Sequence, residues 1–175
     1  MTKKIVVITG PESCGKTTLA RQLAGRWDAP LVNEAARDYL QRKDSYQESD
    51  LLEIAKLQSA MEQEKTVISA EKLVCDTDLL VILIWSEVKY GRCDPWIRET
   101  LENCFNKKSL TRHYILCDPK IPWQQDRLRE NPYNRDELFD MYIKKLTDYK
   151  LNYSVVSGRP QERLRQTLDR FKYKQ

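Results

Sequence analysis

Histidine is almost missing from this sequence: His113 is the only one in 175 residues. The five cysteines (Cys14, Cys75, Cys93, Cys104 and Cys117) are odd in number and contain no C-x-x-C pair. Together these two facts exclude the common zinc ligand sets and argue against a disulfide framework. The cysteines read instead as small buried hydrophobes of a cytoplasmic protein kept in a reducing compartment. Long apolar runs are also missing. Ile5–Ile8 and Leu79–Trp85 fall far short of the ~20 residues that cross a bilayer, so no membrane partner is expected. Lys3 and Lys4 precede an apolar stretch, but it stops at Gly10-Pro11-Glu12, too early for a signal peptide. Charge of one sign is scarce. Thirty Lys and Arg against 26 Asp and Glu leave +4, which suits a phosphate-bearing ligand but not a nucleic-acid partner.

With no linker, repeat or low-complexity tract, residues 1–175 read as one domain. Ile5-Val6-Val7-Ile8 is a β-branched run of the kind buried on both faces of a parallel sheet. Further short strands are expected at Pro30–Asn33, Lys72–Asp76, Arg112–Cys117 and Asn152–Val156. Between them the spacing predicts helices at Thr17–Trp27, Glu34–Arg42, Glu48–Ser69, Trp96–Phe105, Trp123–Arg129, Arg135–Tyr149 and Gln161–Phe171. The wholly apolar Leu79–Trp85 fits strand or helix. Asp76-Thr77-Asp78 ahead of it offers capping chemistry, which favours a helix from near Thr77 to Tyr90. Strands alternating with helices imply right-handed crossovers and an α/β fold, a five-stranded parallel sheet with helices on both faces.

Gly10-Pro11-Glu12-Ser13-Cys14-Gly15-Lys16-Thr17 satisfies G-x-x-x-x-G-K-[ST] without a mismatch. A random chain this long would match roughly once in a few hundred, and here the motif sits after a strand and before an amphipathic helix. Such a loop wraps a polyphosphate with backbone N–H groups, so Gly10 and Gly15 stand where a Cβ would intrude. Residues 10–17, with Thr18 beside them, are therefore the expected ATP-binding loop. Lys16 would reach the β- and γ-phosphates, and the Thr17 hydroxyl would hold Mg²⁺.

Ligands of such sheets sit beyond the carboxyl ends of the strands. Glu34 follows the second strand, and Asp76 and Asp78 follow the third. Asp76 is expected to hold Mg²⁺ through water. Glu34 is the candidate general base, with Asp76 as the alternative. Helix capping is the competing reading for Glu34 and Asp78. The segment Arg127-Leu128-Arg129-Glu130-Asn131-Pro132-Tyr133-Asn134-Arg135 reads as an arginine-bearing lid, with Arg127 and Arg129 as the catalytic candidates, or else as a solvated charged surface.

Three segments together resemble the nicotinamide riboside kinase domain of NadR-type proteins. The phosphate loop through Leu19 is similar to that family's G-x-E-S-S-G-K-S-x-L, with Cys14 at a usual serine. Glu34-Ala35-Ala36-Arg37-Asp38-Tyr39 resembles its E-x-x-R-[DE]-[YF]. Asp76-Thr77-Asp78, with Trp85 and Tyr90-Gly91 downstream, resembles its D-T-D segment and aromatic helix. The resemblance implies a P-loop kinase fold with strand order 2-3-1-4-5. It also implies transfer of phosphate from ATP to the 5′-hydroxyl of nicotinamide riboside. Arg37 and Asp78 would then contact the ribose, and Trp85 and Tyr90 would sandwich the base or else belong to the core. NadR-type proteins commonly add an adenylyltransferase domain, whose H-x-G-H element a chain with one histidine cannot contain. A DNA-binding domain has no room ahead of Gly10. A stand-alone kinase is therefore the expectation, with the homo-oligomeric state left open. The rival readings are a kinase for another nucleoside or nucleotide, and a regulatory ATPase or nucleotide-dependent binding module.

Overall fold

The computed structural model describes residues 3–41, 43–69, 71–107, 109–124 and 134–172. Its centre is β1 (Lys3–Thr9), whose last five residues are all buried. It pairs in parallel with β3 (Lys72–Asp76) on one side and β4 (Leu110–Cys117) on the other. β2 (Leu31–Val32) flanks β3, and β5 (Tyr153–Val156) flanks β4. The order is therefore β2-β3-β1-β4-β5, all parallel, as the family resemblance implies. The β-branched and aliphatic content of β1 follows from this position, because a central parallel strand meets helices above and below it.

Two helices cover one face. α1 (Lys16–Trp27) turns Leu19, Ala20, Leu23 and Ala24 onto the sheet, and α7 (Pro160–Lys172) packs beside it. The other face carries α2 (Ala35–Leu40), α3 (Glu48–Ile68), α4 (Leu79–Tyr90), α5 (Pro95–Phe105) and α6 (Arg135–Asp148) around a larger apolar cluster. The caps are local and chemical. Gln47 and Asp50 form a capping box at the start of α3, and Asp94 accepts the Trp96 amide before Pro95 opens α5.

Most boundaries shift by one or two residues, and three differences bear on the site. α4 begins at Leu79 rather than Thr77, because Thr77 adopts a φ of 72° that a helix cannot use. α2 ends at Leu40. Trp123 and Gln124 are not helical, and the rest of the helix expected at 123–129 lies outside the described residues. Among the described residues all five cysteines are free, with Cys14, Cys75 and Cys117 buried. Among the described residues no helix is long and apolar enough to cross a membrane.

Candidate active site

Beyond the carboxyl ends of β1, β2, β4 and β5 lies a cleft of about 420 Å³. The phosphate loop forms its floor. Gly10 has a φ of 136°, and a Cβ there would come within 2.9 Å of the Cys117 carbonyl. Gly15 caps α1 in the left-handed conformation, and Ser13 shares that region at φ 55°. Successive amides with these dihedrals form an anion-binding nest, to which the positive end of α1 adds its dipole. Lys16 folds back over this nest, donating to the carbonyls of Gly10 at 3.0 Å and Pro11 at 2.7 Å. Burial opposes its charge. The nearby Cys14, Glu34 and Asp76 outweigh burial and raise its pKa, so it stays protonated. The Ser13 hydroxyl accepts the Gln124 amide at 3.1 Å, joining the loop to the segment after β4.

Asp76 ends β3 beside this loop and is 3% exposed. Burial pushes its pKa up, and a hydrogen bond from Thr17 and the Lys16 charge pull the other way. Its Oδ1 is buried with no hydrogen-bond partner among the described residues. A carboxylate oxygen with unused lone pairs, next to the Thr17 hydroxyl, fits a hard cation such as Mg²⁺ held partly through water.

Glu34 and Arg37 line the neighbouring wall, with Arg37 Nε 3.6 Å from Glu34 Oε2. Glu34 precedes α2 but makes no side-chain cap. The first amide of α2 is taken instead by Gln58 of α3, whose Oε1 accepts from Ala35 at 2.8 Å. The capping reading therefore fails at Glu34, and its carboxylate belongs to the cleft. The far wall is apolar: Leu40, Val81, Ile84, Trp85 and Val88, closed by Leu138 and Tyr142 of α6. Trp85 is oriented by its Nε1 donating to the Tyr46 hydroxyl at 2.9 Å, with the rings edge-on at 5.0 Å.

Two expected ligand contacts are corrected. Asp78 does not face the cleft. Its Oδ1 caps α4 by accepting the Leu80 amide at 3.0 Å. Its Oδ2 receives the Arg112 guanidinium at 3.0 Å and the Tyr114 hydroxyl at 2.6 Å. Arg112 is also paired with Glu62 of α3. At Asp78 the capping reading wins, because the turn at Thr77 sends this carboxylate under α4. Tyr90 is not at the cleft either. It packs against the core at the last turn of α4, and Val88 occupies the wall instead. Arg127 and Arg129 lie outside the described residues.

The sequence reading missed Arg163 of α7, which is 3% exposed. Its guanidinium donates to the carbonyls of Cys14 at 2.6 Å, Gly158 at 2.7 Å and Asp118 at 2.9 Å. It ties the phosphate loop to the ends of β4 and β5 and lines the cleft beside Gly15. Nothing in the local sequence around Arg163 signals this, since its partners are all main-chain atoms of distant segments.

A sequence profile described as an AAA domain matches residues 5–163, most of the chain. The chain belongs to this AAA-domain family. No curated protein matches it by sequence. Among solved structures, a NadR protein in complex with NR superposes with TM-score 0.71 at 22% identity, covering 96% of this chain and 48% of that one. The AAA-domain chain thus spans about half the length of the NadR protein it resembles. Thymidylate kinase from Ehrlichia chaffeensis gives TM-score 0.64 at 16% identity, covering 98% and 100%. Deoxyadenosine kinase from M. mycoides, with dCMP and dCDP bound, gives 0.60 at 13%, covering 96% and 98%. The fold of this family member is that of the P-loop nucleoside and nucleotide kinases.

Proposed function

We propose that this protein is an ATP-dependent kinase that phosphorylates the 5′-hydroxyl of nicotinamide riboside, giving nicotinamide mononucleotide for NAD salvage in the cytoplasm. One observation carries the reading. A single cleft joins the phosphate loop, the Glu34–Arg37 pair and an apolar wall bearing an oriented tryptophan. A phosphoryl donor and a hydroxylated ligand with a flat apolar end fit that sequence of surfaces. The NadR-like motifs favour the pyridine riboside within this class.

In this reading the loop amides and Lys16 hold the β- and γ-phosphates, and Lys16 leaves the Gly10 and Pro11 carbonyls to do so. Thr17 and Asp76 would hold Mg²⁺, which would supply positive charge against the phosphates. Glu34 accepts the proton of the attacking hydroxyl, and Arg37 beside it bonds the ribose hydroxyls. Trp85 lies against the base, where a cationic nicotinamide ring gains from an aromatic face. The apolar wall keeps water from competing with the acceptor.

Coupled ADP release with nicotinamide riboside, uridine, thymidine and deoxyadenosine, alongside thermal shift with MgATP, tests the reading. The expected result is fastest turnover and the largest acceptor-dependent stabilisation with nicotinamide riboside. Faster turnover on a deoxynucleoside moves the protein to the deoxynucleoside kinases, whose fold it shares. ADP release indifferent to every acceptor makes it a regulatory ATPase.

A further inference from the structure

Cys14 occupies a phosphate-loop position that contributes mainly backbone to a phosphate site, yet its side chain has a defined environment. Both Cys14 and Cys117 are completely buried. A Cβ built on Gly10 would lie 3.1 Å from Cys14 Sγ, and 2.9 and 3.3 Å from the Cys117 carbonyl and amide. The missing side chain of Gly10 is therefore the gap across which the loop thiol meets the end of β4. Both side chains belong to the same buried cluster beneath α1 and α7. Lys16 Nζ lies 4.0 Å from Cys14 Sγ, and Arg163 grips the Cys14 carbonyl. Lys16 thus faces the Cys14 thiol while Arg163 holds that residue's main chain. Cys93 and Cys104 are only partly buried, and Cys75 sits inside β3.

We propose that Cys14 and Cys117 form a reversible redox couple in which a peroxide drives closure of a disulfide that disables the phosphate loop. The proposal rests on the reading of that loop as a nucleotide site. Burial raises the Cys14 thiol, but Cys117, Lys16 and Arg163 together bring it down to about 7, whereas Cys117 is held well above its ordinary value by its bond to Cys14 and by burial. One sulfur is thus prepared to attack and the other to resolve.

The chemistry balances. The Cys14 thiolate attacks one peroxide oxygen, the O–O bond breaks, and hydroxide leaves to take up a proton as water. The Cys117 sulfur then attacks the resulting sulfenic acid. An S–S bond forms, the S–O bond breaks, and the oxygen leaves as a second water with the Cys117 proton. Two thiols lose two electrons and the peroxide gains them. Closing the bond draws the sulfurs to roughly 2.05 Å. That movement pulls Cys14 inward, away from the Arg163 tether, and turns the loop amides out of their nest.

The full chain is titrated with hydrogen peroxide, with and without MgATP, then digested without reduction and mapped by mass spectrometry. A fluorescent ATP analogue reports affinity in parallel. The expected result is a Cys14–Cys117 cross-link, a loss of affinity of at least about tenfold, recovery with dithiothreitol, and slower oxidation when MgATP is bound. Cys117→Ser should bind nucleotide normally when reduced and accumulate sulfenic acid on Cys14 instead of the cross-link. Should Cys117→Ser fold poorly, Cys14→Ser tests the couple from the other side: under peroxide it should show no Cys14–Cys117 cross-link. Peroxide that links neither sulfur, or linked protein that binds the analogue as well as reduced protein, overturns the proposal. Reduced protein that binds no analogue overturns the nucleotide reading, and with it the disabling effect, while the mass map still decides the couple.

Discussion

Asp76 and Asp78 are two residues apart but belong to different regions of the molecule. Asp76 opens toward the phosphate loop, next to Thr17 and Lys16, with one oxygen lacking a partner among the described residues. Asp78 turns under α4, where an amide, an arginine and a tyrosine satisfy it. In an uninterrupted strand, alternate residues share a face. Thr77, at φ 72°, ends that alternation and separates the two acids. One region keeps a carboxylate poorly satisfied and open to chemistry, and the other spends its carboxylate on holding helices together. The contrast teaches that an acid at a strand end is not by itself a site residue; what matters is whether the neighbouring elements already supply its partners.

Three experiments break or sharpen this contrast. The largest effect is expected for Asp78→Ala, which leaves the buried Arg112 with Glu62 as its one carboxylate partner among the described residues, and uncaps α4. Removing one member of a buried ion pair typically costs about 3–5 kcal/mol. Urea unfolding should show a lower midpoint at unchanged slope. Stability equal to wild type would erase the distinction between the acids. Asp76→Asn should act the other way. Burial raises the Asp76 pKa, so its ionised form, present above that pKa, is disfavoured in the folded protein. The neutral asparagine should leave stability near neutral pH unchanged or higher, while the Mg²⁺ needed for half-maximal turnover rises about 10–100-fold. Magnesium titration of ADP release checks both halves of the claim, and an unchanged requirement would remove Asp76 from the metal site.

The smallest effect concerns a third acid, Asp50, which ties α2 to α3 behind the cleft wall. Its pKa is lowered to about 2, first by the hydrogen bond from Lys43, then by the Gln47 amide and the Tyr39 hydroxyl. A depressed pKa stabilises the fold above the ordinary carboxylate value of 3.8, and that contribution fades as pH falls through about 2. Melting temperatures between pH 5 and pH 2 should fall less steeply for Asp50→Asn than for wild type. Parallel curves would mean that Asp50 is not a linked group.

The sequence made much of the site legible, for reasons that differ by residue. Residues 10–17 are readable because a phosphate nest is built within one short segment, and its glycines and lysine must appear at fixed spacing. The parallel sheet followed from alternation, and its strand order from the motif resemblance alone. Trp85 was placed at the cleft or in the core, and it does both, lining the wall while bonded to Tyr46. Asp78 and Glu34 looked alike, since each precedes a helix. Their fates were decided by Arg112, 34 positions away from Asp78, and by Gln58, 23 positions from Ala35. Contacts between side chains so far apart leave no period in the sequence. Tyr90 was misplaced for a similar reason: a helix face is legible, but which turn of it reaches a cleft depends on where α6 packs. Arg163 was invisible because it binds carbonyls, which every residue carries.

The pairing of β1 with β3 acts as a ruler. Ile8 stands opposite Asp76, and the Thr77 amide donates to the Ile8 carbonyl at 3.0 Å, one step before the chain leaves β1 for Gly10. Adjacent rungs of a strand are ~3.3 Å apart and point to opposite faces. A slip of one rung would therefore carry Asp76 out of reach of Thr17 and exchange the inward and outward side chains of β3. Tolerance to insertion or deletion is thus set unevenly along the chain: residues 72–77 have none, although a motif search would pass over most of them, because they fix the height at which an acid meets the phosphate loop.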